Sequence, residues 1–246
     1  MSFVLDYFIE QGREKSLILL LSFVFLLIAG CAQLQLTATG SGADKPLPDN
    51  VAVWLREGDQ SRITEQIRRE SLLVKGQTRR ERLFRGMEHL WKRFRYDRLL
   101  NEKMLTKTAD QLFSENILGG CTDFALIETT FFRSLDIPAR LILTVNTEWI
   151  KAYREYMFSM PEGHAFIEVY LEDRWYLVDS TFRLFYSEYE PERTCYPRGE
   201  FFCKKGVDFW EMGVYKIPSM SDTMRQCNMG YKEGTCKEPN YRKEKI

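Results

Sequence analysis

The chain has 246 residues, 44% of them hydrophobic and 28% charged, and its 35 basic side chains balance 35 acidic ones. Such a chain holds one ordinary domain with a leader and a tail, and its composition excludes a disordered chain or a multi-span membrane protein. Zero formal charge gives no overall attraction to nucleic acid. Neither a GxxxxGK[ST] loop nor a GxGxxG turn occurs, and no cofactor or metal site is legible.

The first thirty residues read as a leader. Leu17 to Ile28 form a short apolar run, preceded by Arg13 and Lys15 and followed by Ala29-Gly30-Cys31. A bilayer-spanning helix needs roughly 20 apolar residues. This run is shorter, and its basic, apolar, small-residue order is that of a secretory signal. The ending Leu27-Ile28-Ala29-Gly30-Cys31 resembles the bacterial lipobox, which implies a diacylated Cys31 as the mature N-terminus. The expected location is the bacterial cell envelope, lipid-anchored on a membrane surface outside the cytoplasm, on the periplasmic side. Residues 31–50 are small, polar and aperiodic, as in a flexible tether. Residues 51–246 are expected as one domain with a cysteine-containing C-terminal extension.

Between Thr78 and Arg95, Leu83, Phe84, Met87, Leu90, Trp91 and Phe94 recur at helical spacing, opposite a charged face. This predicts an amphipathic helix docked on the core. His89 lies at the edge of its apolar stripe and reads as a packing residue. Gly119-Gly120-Cys121 opens a second helix through Leu135, with Phe124, Ala125, Phe131, Phe132 and Leu135 buried, and Pro138 enforces its end. Ala139–Val145 is β-branched and aliphatic, hence a strand. Two more strands, His164–Leu171 and Arg174–Ser180, are joined by Glu172-Asp173. The intervening Thr147–Gly163, with Trp149, Tyr153, Tyr156, Met157 and Phe158, reads equally as a lid or as a packed insertion. Helices followed by antiparallel strands define an α+β fold.

Six cysteines are present: Cys31, Cys121, Cys195, Cys203, Cys227 and Cys236. With Cys31 lipidated and Cys121 set apart, the other four fall in the C-terminal region. In an oxidising compartment they predict two disulfides, with three pairings open. Their spacings do not match the close pairs of a four-thiolate zinc site.

Cys121 follows two glycines and begins a helix. The helix N–H groups and dipole favour thiolate there and can hold an oxyanion. If Glu172-Asp173 is a two-residue hairpin loop, Leu171 faces Arg174 and Phe166 faces Asp179. His164 and Asp179 then share one sheet face as diagonal neighbours, while Ala165, Ile167, Val169, Leu171, Tyr176 and Val178 line the other. A carboxylate beside histidine fixes its tautomer, and a cysteine at the other ring nitrogen completes a Cys-His-Asp arrangement. The plainer reading of the same residues is a structural His-Asp pair behind a buried thiol.

The run Gly119-Gly120-Cys121-Thr122-Asp123-Phe124-Ala125, then Phe131 to Arg140, resembles the nucleophile helix and next strand of the transglutaminase-like superfamily. Gly163-His164-Ala165-Phe166 and Val178-Asp179-Ser180-Thr181 are similar to its histidine and aspartate strands. The resemblance implies a papain-like core, with the nucleophile helix packed on an antiparallel β-sheet. It also implies Cys121 as nucleophile, His164 as general base and acid, and Asp179 as its orienter. Phe166 stands where tryptophan is common and Ser180 where proline often follows. Trp91 and Tyr96 are candidates for an upstream oxyanion donor. The implied activity is thiol-dependent acyl transfer on amides of peptide or protein substrates in the envelope, with peptidase-like hydrolysis slightly favoured over cross-linking. The competing class is a non-catalytic envelope binding module on the same fold.

Overall fold

A computed structural model of the chain describes residues 44–156, 160–191, 194–234, 236 and 243–245, the last three as backbone. The leader, Cys31, the tether up to residue 43, and Met157 and Phe158 lie outside the described residues. Among the described residues, no helix is long and apolar enough to cross a membrane.

After a single turn, α1 (Asp49–Ala52), come α2 (Glu65–Ser71) and α3 (Arg79–Arg93). Helix α3 starts where sequence places it, because the Thr78 side chain accepts the Glu81 N–H at 3.2 Å and caps the first turn. Its apolar stripe, Leu83, Met87 and Leu90, is buried. Helix α4 (Ala109–Glu115) carries a full capping box at Thr108 and Gln111. The short strands β1 (Arg95–Tyr96) and β2 (Ile117–Leu118) pair in parallel and lead into α5 (Cys121–Ser134).

Helix α5 has no polar face: every residue from Thr122 to Arg133 is buried. It packs on α2, α3 and α4 on one side and on the central strands on the other. Among the ionisable side chains sealed in by this arrangement are Arg133 and Glu128. The Arg133 guanidinium donates to the carbonyls of Ala139 at 2.7 Å and Val207 at 2.8 Å and to Ser61 Oγ at 3.1 Å. Burial still pushes it down to about 9. The other group, Glu128, has no such set of partners.

The sheet has seven strands, all antiparallel, in the order β7 (Cys195–Tyr196), β8 (Glu200–Gly206), β3 (Ala139–Asn146), β4 (Ala165–Leu171), β5 (Arg174–Asp179), β6 (Leu184–Tyr186) and β9 (Lys243–Lys245). Glu172 and Asp173 make the β4–β5 turn with φ of 51° and 66°. This left-handed pair suits the twist of a two-residue hairpin. Leu171 therefore faces Arg174 and Ile167 faces Val178. Ala165, Ile167, Val169, Leu171, Tyr176 and Val178 join the helical core. Phe166 and Leu177 turn to a smaller cluster with Ile142, Tyr186, Tyr189 and Tyr196.

Asp44 accepts the Arg79 backbone N–H and pairs with the Arg82 guanidinium, both at 2.8 Å. Asp44 is thus in contact with α3. Helix α6 (Thr147–Tyr156) buries Trp149 and Ile150. Arg154 on α6 donates to Asn228 Oδ1 at 2.8 Å and to the carbonyl oxygens of Asn228 at 2.6 Å and Tyr231 at 2.8 Å. The segment from Thr147 to Tyr156 is therefore a packed element, clamped to the region after α7 (Ile217–Asn228). Disulfides join Cys195 to Cys236 and Cys203 to Cys227, each with Cα atoms 5.3 Å apart.

Candidate active site

The N-terminus of α5 is built by close approach. A Cβ on Gly119 would lie 2.6 Å from the Leu100 carbonyl oxygen, and one on Gly120 would lie 2.3 Å from the Met104 sulfur. Gly120 is extended, so room, rather than a left-handed backbone, is what demands glycine here. Asp123 in the first turn accepts the Gly119 N–H at 2.8 Å and fixes the approach. Burial lifts Asp123 to about 6, against the backbone N–H groups of Gly119 and Leu105 that favour its charge. Cys121 follows as the first helical residue, half-buried, and it is the free cysteine among the described residues.

Opposite it stands His164, immediately before β4 and 6% exposed. Its Nε2 meets Asp179 Oδ1 at 2.9 Å. Cys121 is close enough to favour a charged imidazole. Burial works against a charged ring, but Asp179 and Cys121 together outweigh it and lift His164 to about 10. The ring is further fixed edge-on to Phe166, with centroids 4.7 Å apart, and lies 5.8 Å from Phe182. Its backbone is held too: the His164 carbonyl accepts the Thr144 N–H at 3.0 Å. The Thr144 hydroxyl lies 3.0 Å from that carbonyl and 2.8 Å from the buried Glu200 carboxyl.

Asp179 ends β5 and is fully buried. Besides the imidazole, its Oδ1 accepts the Phe182 N–H at 3.3 Å, while Oδ2 lies 3.7 Å from the half-exposed Arg198 guanidinium. Arg198 in turn sits over the Phe182 ring at 3.9 Å. The three residues singled out from sequence are thus brought together from one helix start and two strand ends. Such a set can hold a thiolate against an imidazolium whose tautomer is fixed by a carboxylate.

The other candidates separate. Tyr96 is exposed on β1, whereas Trp91 stacks on Phe124 of α5 at 5.1 Å and keeps a buried indole N–H without a hydrogen-bond partner. His89 is remote in role: it bonds Glu70 at 2.9 Å and stacks on Phe131. Cys195, Cys203, Cys227 and Cys236 are consumed in disulfides. Among the described residues no group of three or more His, Cys, Asp and Glu is placed to hold a metal ion. Sequence reasoning missed Asp123, Arg198, Glu200 and Glu128. Only Glu128 left a signal, being a charge in the middle of the apolar stripe of α5.

Comparison with known proteins agrees with this architecture. Residues 68–180 match the profile of the transglutaminase-like superfamily. No curated protein sequence matches the chain significantly. Among solved structures, a protein from Cytophaga hutchinsonii described as a putative cysteine protease superposes with a TM-score of 0.51 at 18% identity, over 70% of this chain and 53% of that one. At that identity the likeness is one of fold, and it spans about half the length of the neighbour. The helix start bearing Cys121, and His164 and Asp179 opposite it, all lie within residues 68–180, the segment similar to the transglutaminase-like superfamily.

Proposed function

We propose that the chain is an exported, thiol-dependent acyltransferase acting on amide bonds of peptides or proteins, with water favoured over an amine as acceptor. The observation that carries this reading is His164, held by Asp179 at 2.9 Å and near enough to Cys121 for the two to interact electrostatically. In this reading the Cys121 thiolate attacks the amide carbon. The imidazolium gives its proton to the departing amine, leaving a thioester. His164 then takes a proton from water, which attacks the thioester and frees the acid and the thiol. Asp179 orients the ring throughout. The N–H groups opening α5, and the unpaired Trp91 indole N–H, are the donors for the transient oxyanion.

The preference for hydrolysis draws on the neighbouring structure's description as a putative cysteine protease. The envelope location draws on the apolar leader ending at Cys31 and on two disulfides that need an oxidising compartment. The test is alkylation by iodoacetamide at neutral pH, followed by screening a peptide library with the intact chain. Cys121 should react well above the rate of a free thiol, and Cys121→Ala should lose both labelling and turnover. Labelling no faster than glutathione would sink the reading and favour a binding module.

A further inference from the structure

We infer that Arg183 and Trp91 form a subsite beside the reacting pair that takes a carboxylate of the peptide substrate. The inference rests on the proposed acyl transfer at Cys121 and adds the charge that its substrate carries.

Arg183 sits in the turn between β5 and β6, where its backbone is left-handed, with φ of 54°. Glycine or asparagine is the ordinary occupant of such a position. The guanidinium lies 3.8 Å over the Trp91 ring of α3. With Met87, Glu88 and Lys92, these two side chains line a cavity of about 160 Å³.

Two lines of contact run from this cavity to the catalytic residues. Trp91 stacks on Phe124 at 5.1 Å, and Phe124 is one helical turn from Cys121 on α5. On the other side, Phe182 precedes Arg183 and lies 5.8 Å from the His164 ring, while Leu184 follows it and pairs with Asp179. One wall of the cavity is thus tied to the nucleophile helix and the other to the His164–Asp179 pair.

What marks the cavity as a binding site is a cation without an anion. Among the described residues none is hydrogen-bonded or ion-paired to Arg183, and its Nε is buried with no partner. Glu128 is within electrostatic reach, but neither of its oxygens has a well-formed hydrogen bond. On the exposed rim Glu88 is answered by Lys92 at 2.6 Å. Arg198, the other arginine near the histidine, already has Asp179 Oδ2 at 3.7 Å. The uncompensated charge in the lining is therefore that of Arg183.

A guanidinium held flat on an aromatic ring has given up its freedom beforehand and presents a fork of N–H donors. A carboxylate accepts two donors of such a fork at once, with full charge to match. The ligand that fits is a peptide bearing a carboxylate close to the amide that Cys121 attacks. An acidic side chain and a chain terminus supply the same chemistry.

The test uses the intact chain and paired probes that alkylate Cys121, its thiolate displacing chloride to form a thioether. One pair, the α-amides of chloroacetyl-glutamate and chloroacetyl-glutamine, differs only in a side-chain carboxylate. The other, chloroacetyl-diglycine and its amide, differs only in a terminal one. In the wild type the acid of at least one pair should label Cys121 about tenfold faster than its amide, the scale of a charge-assisted bidentate contact. The pair that responds identifies the source of the carboxylate. In Arg183→Gln the acid should lose its advantage in both pairs. Each comparison is made within one protein, so a general change in thiol reactivity cancels. Equal rates within both pairs in the wild type, or a preference that survives in Arg183→Gln, overturn the inference. Should that variant fail to fold, Lys92→Glu decides: reversed charge on the exposed rim should cut the preference about threefold, and an unchanged preference overturns the inference. A wild-type Cys121 that iodoacetamide labels no faster than glutathione would instead overturn the catalytic reading underneath.

Discussion

Residues 68–180 and the region after Leu184 hold the same site by different means. In the first, position follows from backbone geometry: a left-handed turn at Glu172-Asp173 sets the register that puts Asp179 within 2.9 Å of His164. In the second, β8 is a full strand but β6, β7 and β9 have only two or three residues each, and staples add to the holding. Cys203–Cys227 ties α7 to β8, and Arg154 ties α6 to Asn228 and Tyr231. Met224 of α7 presses on the turn before the histidine, where a Cβ on Gly163 would sit 2.6 Å from its terminal methyl. The comparison teaches that the core sets which groups meet, while the C-terminal region sets how firmly the histidine strand is seated.

The sharpest way to break that division is in the core. Cys121→Ala and His164→Ala should abolish amide turnover, since no other group supplies the nucleophile or both proton transfers. Asp179→Ala should cost about 10⁴-fold in kcat/KM, as carboxylate loss does in related triads. An Asp179 variant as active as wild type would show that register is not what positions the site. A smaller effect lies in the charge of the pair. His164 is raised to about 10 by Asp179 and Cys121 against burial. The stability this contributes is full below about 6.5 and is lost as pH rises through about 10. Imidazole NMR shifts should place the midpoint near the upper value in the wild type. Cys121→Ala, which removes one raising partner and leaves the burial, should move it down; an unmoved midpoint would count against thiolate–imidazolium pairing.

Changes in the C-terminal region should cost stability before chemistry. Removing Cys203–Cys227 by paired serine substitution should cost about 3 kcal/mol in urea unfolding, the scale for a loop of that size, with a severalfold loss of turnover. A loss on the scale of the triad variants would mean that the extension supplies part of the site itself. The smallest effect belongs to the second histidine. His89→Ala loses a bond to Glu70 and should cost about 1 kcal/mol, leaving kcat/KM within a few-fold.

Much of this was legible from residues alone. The apolar periodicity of α3, the glycine-led start of α5 and the two-residue turn each reflect local rules, and these fix Cys121, His164 and Asp179 in space. What escaped the sequence was non-local. β8, which carries Lys204 and Lys205, lies beside β3, a placement that no local pattern announces. In the fold their amines meet the Met212 carbonyl at 2.7 Å and the buried Glu168 carboxyl at 3.1 Å. Which cysteines pair depends on the same long-range arrangement. The pinning of Asp44 to α3 depends on Arg82, whose charge seemed to belong to a solvent face.

The placing of β8 has a consequence for how the molecule is made. Strand β3 lies inside the sheet, and one of its two partners, Glu200–Gly206, is distant in the chain. The hairpin that sets His164 against Asp179 is a near-neighbour structure and can form early. The edge of β3 that β8 will cover has no partner until the far strand has been synthesised, and such distant pairings are slow to close. A growing chain thus displays a nearly finished histidine–aspartate hairpin beside an unzipped sheet edge. A ribosome-bound chain ending before Glu200 should therefore expose an edge able to capture strands from its neighbours.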